Sequence, residues 1–98
     1  MKKISTVLSK HVFTDNSVYR LTYHIIKKEN QYGIMITSEK FKCRDLITKK
    51  IPFTTQIMSD YVIIENKSFD EVLKIASMLS DNIVFPSTLK DIIYDIIS

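Results

Sequence analysis

One glycine, one cysteine, two prolines and no tryptophan occur among 98 residues, and each shortage closes off a class of chemistry. Loops that cradle phosphate need several glycines so that backbone can approach the anion. Gly33 alone cannot make a P-loop or a dinucleotide fingerprint. Cys43 has no second cysteine to pair with, so neither an internal disulfide nor a zinc ribbon is available. No run approaches the ~18 to 20 apolar residues that a membrane helix needs. The start, Met1 to Lys10, has the basic-then-apolar character of a secretion signal, but Lys10 and His11 cut the apolar stretch short. The expected location is the cytoplasm.

What remains is the composition of one folded domain. Hydrophobic residues are 45% and charged residues 26%, close to the globular average, which argues against disorder and against a membrane protein. No repeat, low-complexity tract or Gly/Ser linker marks a boundary, so a single domain over 1–98 is expected. Charge is less even. Residues 1–50 carry eleven Lys and Arg against four Asp and Glu, residues 51–98 three against seven, for a net +3. Such a split suggests a basic face for a polyanion, or two halves that attract each other when folded.

Strand periodicity dominates the first two-thirds. Ile4, Thr6 and Leu8 alternate with polar neighbours, and Thr14-Asp15-Asn16-Ser17 is a turn, because Asp and Asn bond their own backbone and tolerate left-handed angles. Tyr19, Leu21, Tyr23 and Ile25 then share one face, the clearest period-two signal in the chain. Glu29-Asn30-Gln31 turns it, and Tyr32, Ile34 and Ile36 alternate again, which reads as an antiparallel hairpin. Residues 40–51 are expected to be a further strand with a break near Asp45. Pro52 to Asp60 reads as an irregular loop, and Tyr61-Val62-Ile63-Ile64 as a short β-branched strand.

The last third changes period. Ser68-Phe69-Asp70-Glu71 is a capping box. Phe69, Val72, Leu73, Ala76 and Leu79 follow as the stripe of a helix that buries one face. Asn82 is the expected left-handed residue at its end. Pro86 and Ser87 announce a second helix, striped by Leu89, Ile92, Ile93, Ile96 and Ile97. Strands followed by helices imply an α+β fold: a four- or five-stranded, mostly antiparallel β-meander with two C-terminal helices packed on one face. Its core is expected from Leu21, Tyr23, Ile34, Ile36, Val62 and Ile64, and from Phe69, Val72, Leu73, Ala76, Leu79, Leu89, Ile92, Ile93 and Ile96.

Tyr32-Gly33-Ile34, the Ser68–Leu79 helix and the ending Val84, Pro86, Leu89, Asp91, Ile92, Ile93, Asp95 and Ile96 together resemble a family of small proteins from Firmicutes, chiefly clostridia, catalogued as a domain of unknown function. The resemblance implies one domain in a bacterial cytoplasm and carries no activity or catalytic residue.

Constellations with catalytic chemistry are thin. Cys43 with His11 or His24 would be a nucleophile and base, but both histidines lie in strand-like segments with no orienting acid evident. Ser87-Thr88-Leu89-Lys90 fits a Ser-x-x-Lys pattern without its companion motifs, and Ser87 reads better as a helix start. Asp91 and Asp95, one turn apart, with His24 or Glu65 imagined nearby, suggest a solvated acidic face more than a Mg²⁺ site. No catalytic residue, metal, cofactor or small-molecule substrate is therefore expected, and no enzyme.

Two partner classes remain. Tyrosine joins a large apolar ring to a polar tip and is enriched at interfaces, which makes Tyr19, Tyr61 and Tyr94 candidate interface aromatics. A non-enzymatic regulatory or adaptor module acting by protein contact is the leading expectation, with a homodimer paired through a sheet edge as one form of it. The alternative is a nucleic-acid-binding accessory protein, whose polyanion patch would be Lys27, Lys28, Lys40, Lys42, Arg44, Lys49 and Lys50.

Overall fold

The computed structural model describes residues 2–14, 17–42 and 54–97. Strands β1 (Lys2–Phe13), β2 (Ser17–Lys28), β3 (Gln31–Lys42) and β4 (Thr54–Ile64) pair in chain order, each antiparallel to the next. Helix α1 (Phe69–Asp81), a 3₁₀ turn (Pro86–Thr88) and helix α2 (Leu89–Ile97) complete the chain order. The expected α+β arrangement, a four-stranded meander and two C-terminal helices, is the observed one.

Period two decides which face of the sheet the helices take. Leu21, Tyr23 and Ile25 of β2 sit beside Ser38, Ile36 and Ile34 of β3, and β4 continues the rows with Val62 and Ile64. These side chains form one buried cluster with Val72, Ala76 and Leu79 of α1, Val84, and Leu89 and Ile93 of α2. Helix α1 lies over β1 to β3, and α2 lies over β4. The β2–β3 turn is tight, with Lys28 opposite Gln31 and Glu29 in the left-handed region at φ 56°.

Three expectations need correction. Thr54 to Asp60 is no loop: β4 begins at Thr54 and pairs with β3 through Phe41 to Ile36. Its Ser and Asp are poor strand formers with no clean alternation, so pairing to β3 overrides local propensity. Ile96, expected in the core, is 39% exposed; the side of α2 that meets the sheet is the one carrying Leu89, Ile92 and Ile93. The left-handed residue after α1 is Ile83 at φ 53°, while Asn82 stays at φ −95°. Ile83 and Val84 close the helix by donating to Ser80 O and Leu79 O at 3.1 Å each, and burial of Val84 holds this cap in place. A left-handed β-branched residue costs about 1 to 2 kcal/mol. Residues 43–53, which include most of the expected further strand, lie outside the described residues, while Phe41 belongs to the end of an unbroken β3.

The capping box forms as the sequence predicts. Glu71 N–H donates to Ser68 Oγ at 3.2 Å and Ser68 N–H to Glu71 Oε1 at 3.3 Å. The Ser68 N–H, and then the Ser68 hydroxyl donating to Glu71 Oε1 at 3.2 Å, hold the Glu71 carboxyl below its ordinary range, with Lys67 adding a smaller attraction.

Tyr23 ties the two layers together. It is fully buried, and its hydroxyl donates to the Val84 carbonyl at 3.0 Å. Burial pushes the phenol up to about 12, the hydrogen bond pulling weakly the other way. An unfolded tyrosine ionises near 10. The neutral phenol's contribution is therefore complete below pH ~10 and is lost as pH rises from ~10 to ~12, by at most ~3 kcal/mol. Tyr23→Phe is expected to cost about 1 to 3 kcal/mol at neutral pH, because the Val84 carbonyl is left unpaired. It should also flatten this alkaline loss, as read by urea midpoints between pH 7 and 11.5.

Candidate interaction surface

Among the described residues the meander has two unpaired edges, and they differ. Strand β1 contains Lys2, Lys3, Lys10 and His11. Its pairing to β2 is broken by two register shifts, between Lys3 and Ser5 and between Thr6 and Leu8. Lysines and bulges of this kind twist an edge and keep other strands off it. Strand β4 shifts register once, near its start, and then runs regularly from Gln56 to Ile64. In that stretch only Asp60 is charged.

Alternation puts Ile57, Ser59, Tyr61 and Ile63 on the sheet face away from the helices, and Met58, Asp60 and Val62 on the helix side, of which Val62 is buried. A strand of this length spans about 35 Å, whereas nine helical residues span about 14 Å. Helix α2 therefore covers part of β4 only. It starts beside Asp60, where Lys90 Nζ lies 3.7 Å from Asp60 Oδ1. Tyr94 and Ile97 line an open groove of about 530 Å³ with Val62, Ile63 and the turn Glu65 to Lys67. Ile57 (64% exposed), Tyr61 (44%) and Tyr94 (58%) are the most open of the apolar side chains around this edge, with Met58 and Ile97 beside them.

Two of the three candidate interface tyrosines read from sequence, Tyr61 and Tyr94, thus flank the β4 edge from opposite faces. Tyr19 lies elsewhere, half-buried with its ring edge-to-face on Phe85 at 5.3 Å. Sequence reasoning missed Ile57 and Met58, because a stretch read as loop yields no strand edge.

The basic residues do not converge on one stripe. Lys27 and Lys28 end β2 at the hairpin, with Lys27 Nζ 5.7 Å from the Tyr32 ring centroid. Lys40 sits at the other end of β3, its Nζ 5.8 Å from the Tyr19 ring. The eight residues separating Tyr19 from Lys27 along β2 put these positions about 26 Å apart. Lys42 ends β3, and Arg44, Lys49 and Lys50 lie outside the described residues, as does Cys43. His24 is buried in β2, and His11 is exposed on β1. Arg20 and Glu39 form a cross-strand pair at 2.6 Å with the guanidinium over Phe41, a partly solvated contact worth at most ~1 kcal/mol.

Among the described residues no group of three His, Cys, Asp or Glu could hold a metal ion, and no helix is long and apolar enough to cross a membrane. No family model, curated protein or solved structure matches the chain.

Proposed function

We propose that the chain acts by protein contact, as a regulatory or adaptor module of a bacterial cytoplasm, and that its contact surface is the β4 edge with the outer side of α2. The observation that carries this reading is the convergence of Ile57, Met58, Tyr61, Tyr94 and Ile97 on the strand edge that carries no lysine and pairs regularly from Gln56 to Ile64. A free strand offers unpaired backbone donors and acceptors, and the side chains around it supply apolar area, the combination by which strand addition captures a partner. The described part of the basic patch, divided between the two ends of the sheet, gives the nucleic-acid alternative less support.

The test is affinity capture from extracts of the source organism with the tagged full chain and with its Ile57→Lys and Tyr94→Asp variants. Proteins, or untagged copies of this chain, should be retained by the original sequence and lost with both variants. Identical retention by all three overturns the reading. So does tight binding of nucleic acid that collapses between about 50 and about 200 mM salt, which is the mark of phosphate contacts.

A further inference from the structure

Resting on that reading, we infer that the occupant of the β4 edge is a second copy of this chain, paired antiparallel through β4 about a two-fold axis at Ser59. The geometry of Tyr61 decides what the edge can offer. Its N–H donates to Asp60 Oδ1 at 2.9 Å, so it points away from β3. By period two, the backbone groups of Ile57, Ser59 and Ile63 point the same way. Residues that present their groups outward must pair with one another in an added strand.

An axis at Ser59 satisfies this. It sets Ser59 against its own copy, and Ile57 against Tyr61 of the second copy, twice by symmetry. About six backbone hydrogen bonds form, and both side-chain pairs are of the β-branched–aromatic kind that stabilises sheets. The Ile57 carbonyl of the second copy takes the Tyr61 N–H from Asp60, which keeps Lys90. Moving the axis one residue to Asp60 would oppose two carboxylates, which like-charge repulsion disfavours.

A two-fold axis normal to the sheet keeps both helix layers on one side. The starts of the two α2 helices, beside Asp60, lie nearest the axis, and Tyr94 and Ile97 border the start of the second copy's β4, where Gln56 is set against Val62. The exposed side chains at this edge, Ile57, Met58, Tyr61, Tyr94 and Ile97, add apolar area to the paired backbone, toward the ~800 Å² that each side of a standard interface buries. The contact is isologous and closes after two copies. It leaves the lysine-bearing, bulged β1 strands as the outer edges of one eight-stranded sheet, which is where such guards belong.

Light scattering and sedimentation of the full chain over a concentration series test this. A species of twice 11.4 kDa is expected. Ile57→Lys should weaken it roughly a hundredfold or more, since each dimer carries the change twice. That lysine faces Glu39 across β3–β4 within its own chain, so the fold should be kept. Phe13→Lys, an equivalent change on the β1 edge at a side chain 74% exposed, should leave the dimer intact. Independently, Ser59→Cys in a Cys43→Ser background should form a cross-linked dimer on oxidation, because directly paired residues lie ~5.5 Å apart at Cα, within disulfide range. A Ser9→Cys counterpart on β1 should not.

A monomer at every concentration up to ~500 µM overturns the inference. So does a dimer indifferent to Ile57→Lys, or a species that grows beyond two copies. A monomer that still captures a different protein in an Ile57-dependent way would remove self-pairing and leave the contact function standing. A dimer that captures nothing further would identify the second copy as the whole partner.

Discussion

Replacing Gly33 with alanine is expected to destabilise the protein by about 3 kcal/mol, at the upper end of what overpacking costs. A Cβ on Gly33 would lie 2.9 Å from Ile63 Cδ1 and 3.0 Å from Ile63 Cα, and far inside contact distance of the Val62 carbonyl oxygen. The obstacle is the backbone of β4, which cannot step aside without leaving its ladder with β3. Removing a glycine from a strand would ordinarily gain ~0.4 to 1 kcal/mol through the unfolded chain. The clash outweighs that gain, so the sign is set by the approach of the two strands. Denaturation midpoints measure the total, and hydrogen exchange should localise the loss to β4, with β1 and β2 remaining protected. Trimming Ile63 to alanine should not rescue the variant. Full rescue would show that the Ile63 side chain, and not the Val62 carbonyl, is what Gly33 accommodates.

Ile93→Ala is expected to cost ~2 to 5 kcal/mol, the range for emptying a fully enclosed site. Ile93 is entirely buried in the cluster formed by the sheet and both helices. Folded domains of this size are stable by only ~5 to 15 kcal/mol, so one such cavity removes a large share of the total. Its neighbours supply the scale. Ile92→Ala, at a half-buried position, should cost less, and Ile96→Ala, at 39% exposure, less than ~1 kcal/mol. Urea unfolding of the three variants at one protein concentration checks the order. Equal effects at Ile93 and Ile96 would show that a different face of α2 meets the sheet.

The helices were legible because several signals agree there. A capping box, an apolar stripe and a stop all specify α1, and Leu89, Ile92 and Ile93 orient α2. Strand β2 was legible from Tyr19 to Ile25 because one of its faces is buried along that length. Strand β4 was legible only from Tyr61 onward. Before it, Gln56, Met58 and Asp60 face the helix side without a helix above most of them, so burial imposes no alternation on the sequence there. The same fact hid half of the proposed contact surface. Tyr19 and Tyr61 look alike in sequence, and what separates them is Phe85, distant in the chain, which occupies the ring of one and not the other. Gly33 likewise signals only that another backbone is allowed close by. Which backbone it is depends on the register of a strand that local pattern does not reveal.

A meander that is covered only by the C-terminal third of its own chain has a particular life on the ribosome. Every pair among the described strands joins neighbours in chain order, so the hairpins can close as they emerge, starting with the two-residue turn at Glu29 and Asn30. The apolar face of that young sheet then waits for α1, Val84 and α2. At ~5 to 20 residues per second, the roughly thirty residues after β4 take a few seconds to be made. Throughout that interval Leu21, Tyr23, Ile25, Ile34 and Ile36 stand bare on one face, with a β4 edge that carries a single charge. Chains cut before α1 would keep that face permanently. Fragments ending between β4 and Phe69 are thus where this protein most needs a chaperone, a need that α1 begins to relieve and that the Tyr23 hydroxyl bond to Val84 reduces further.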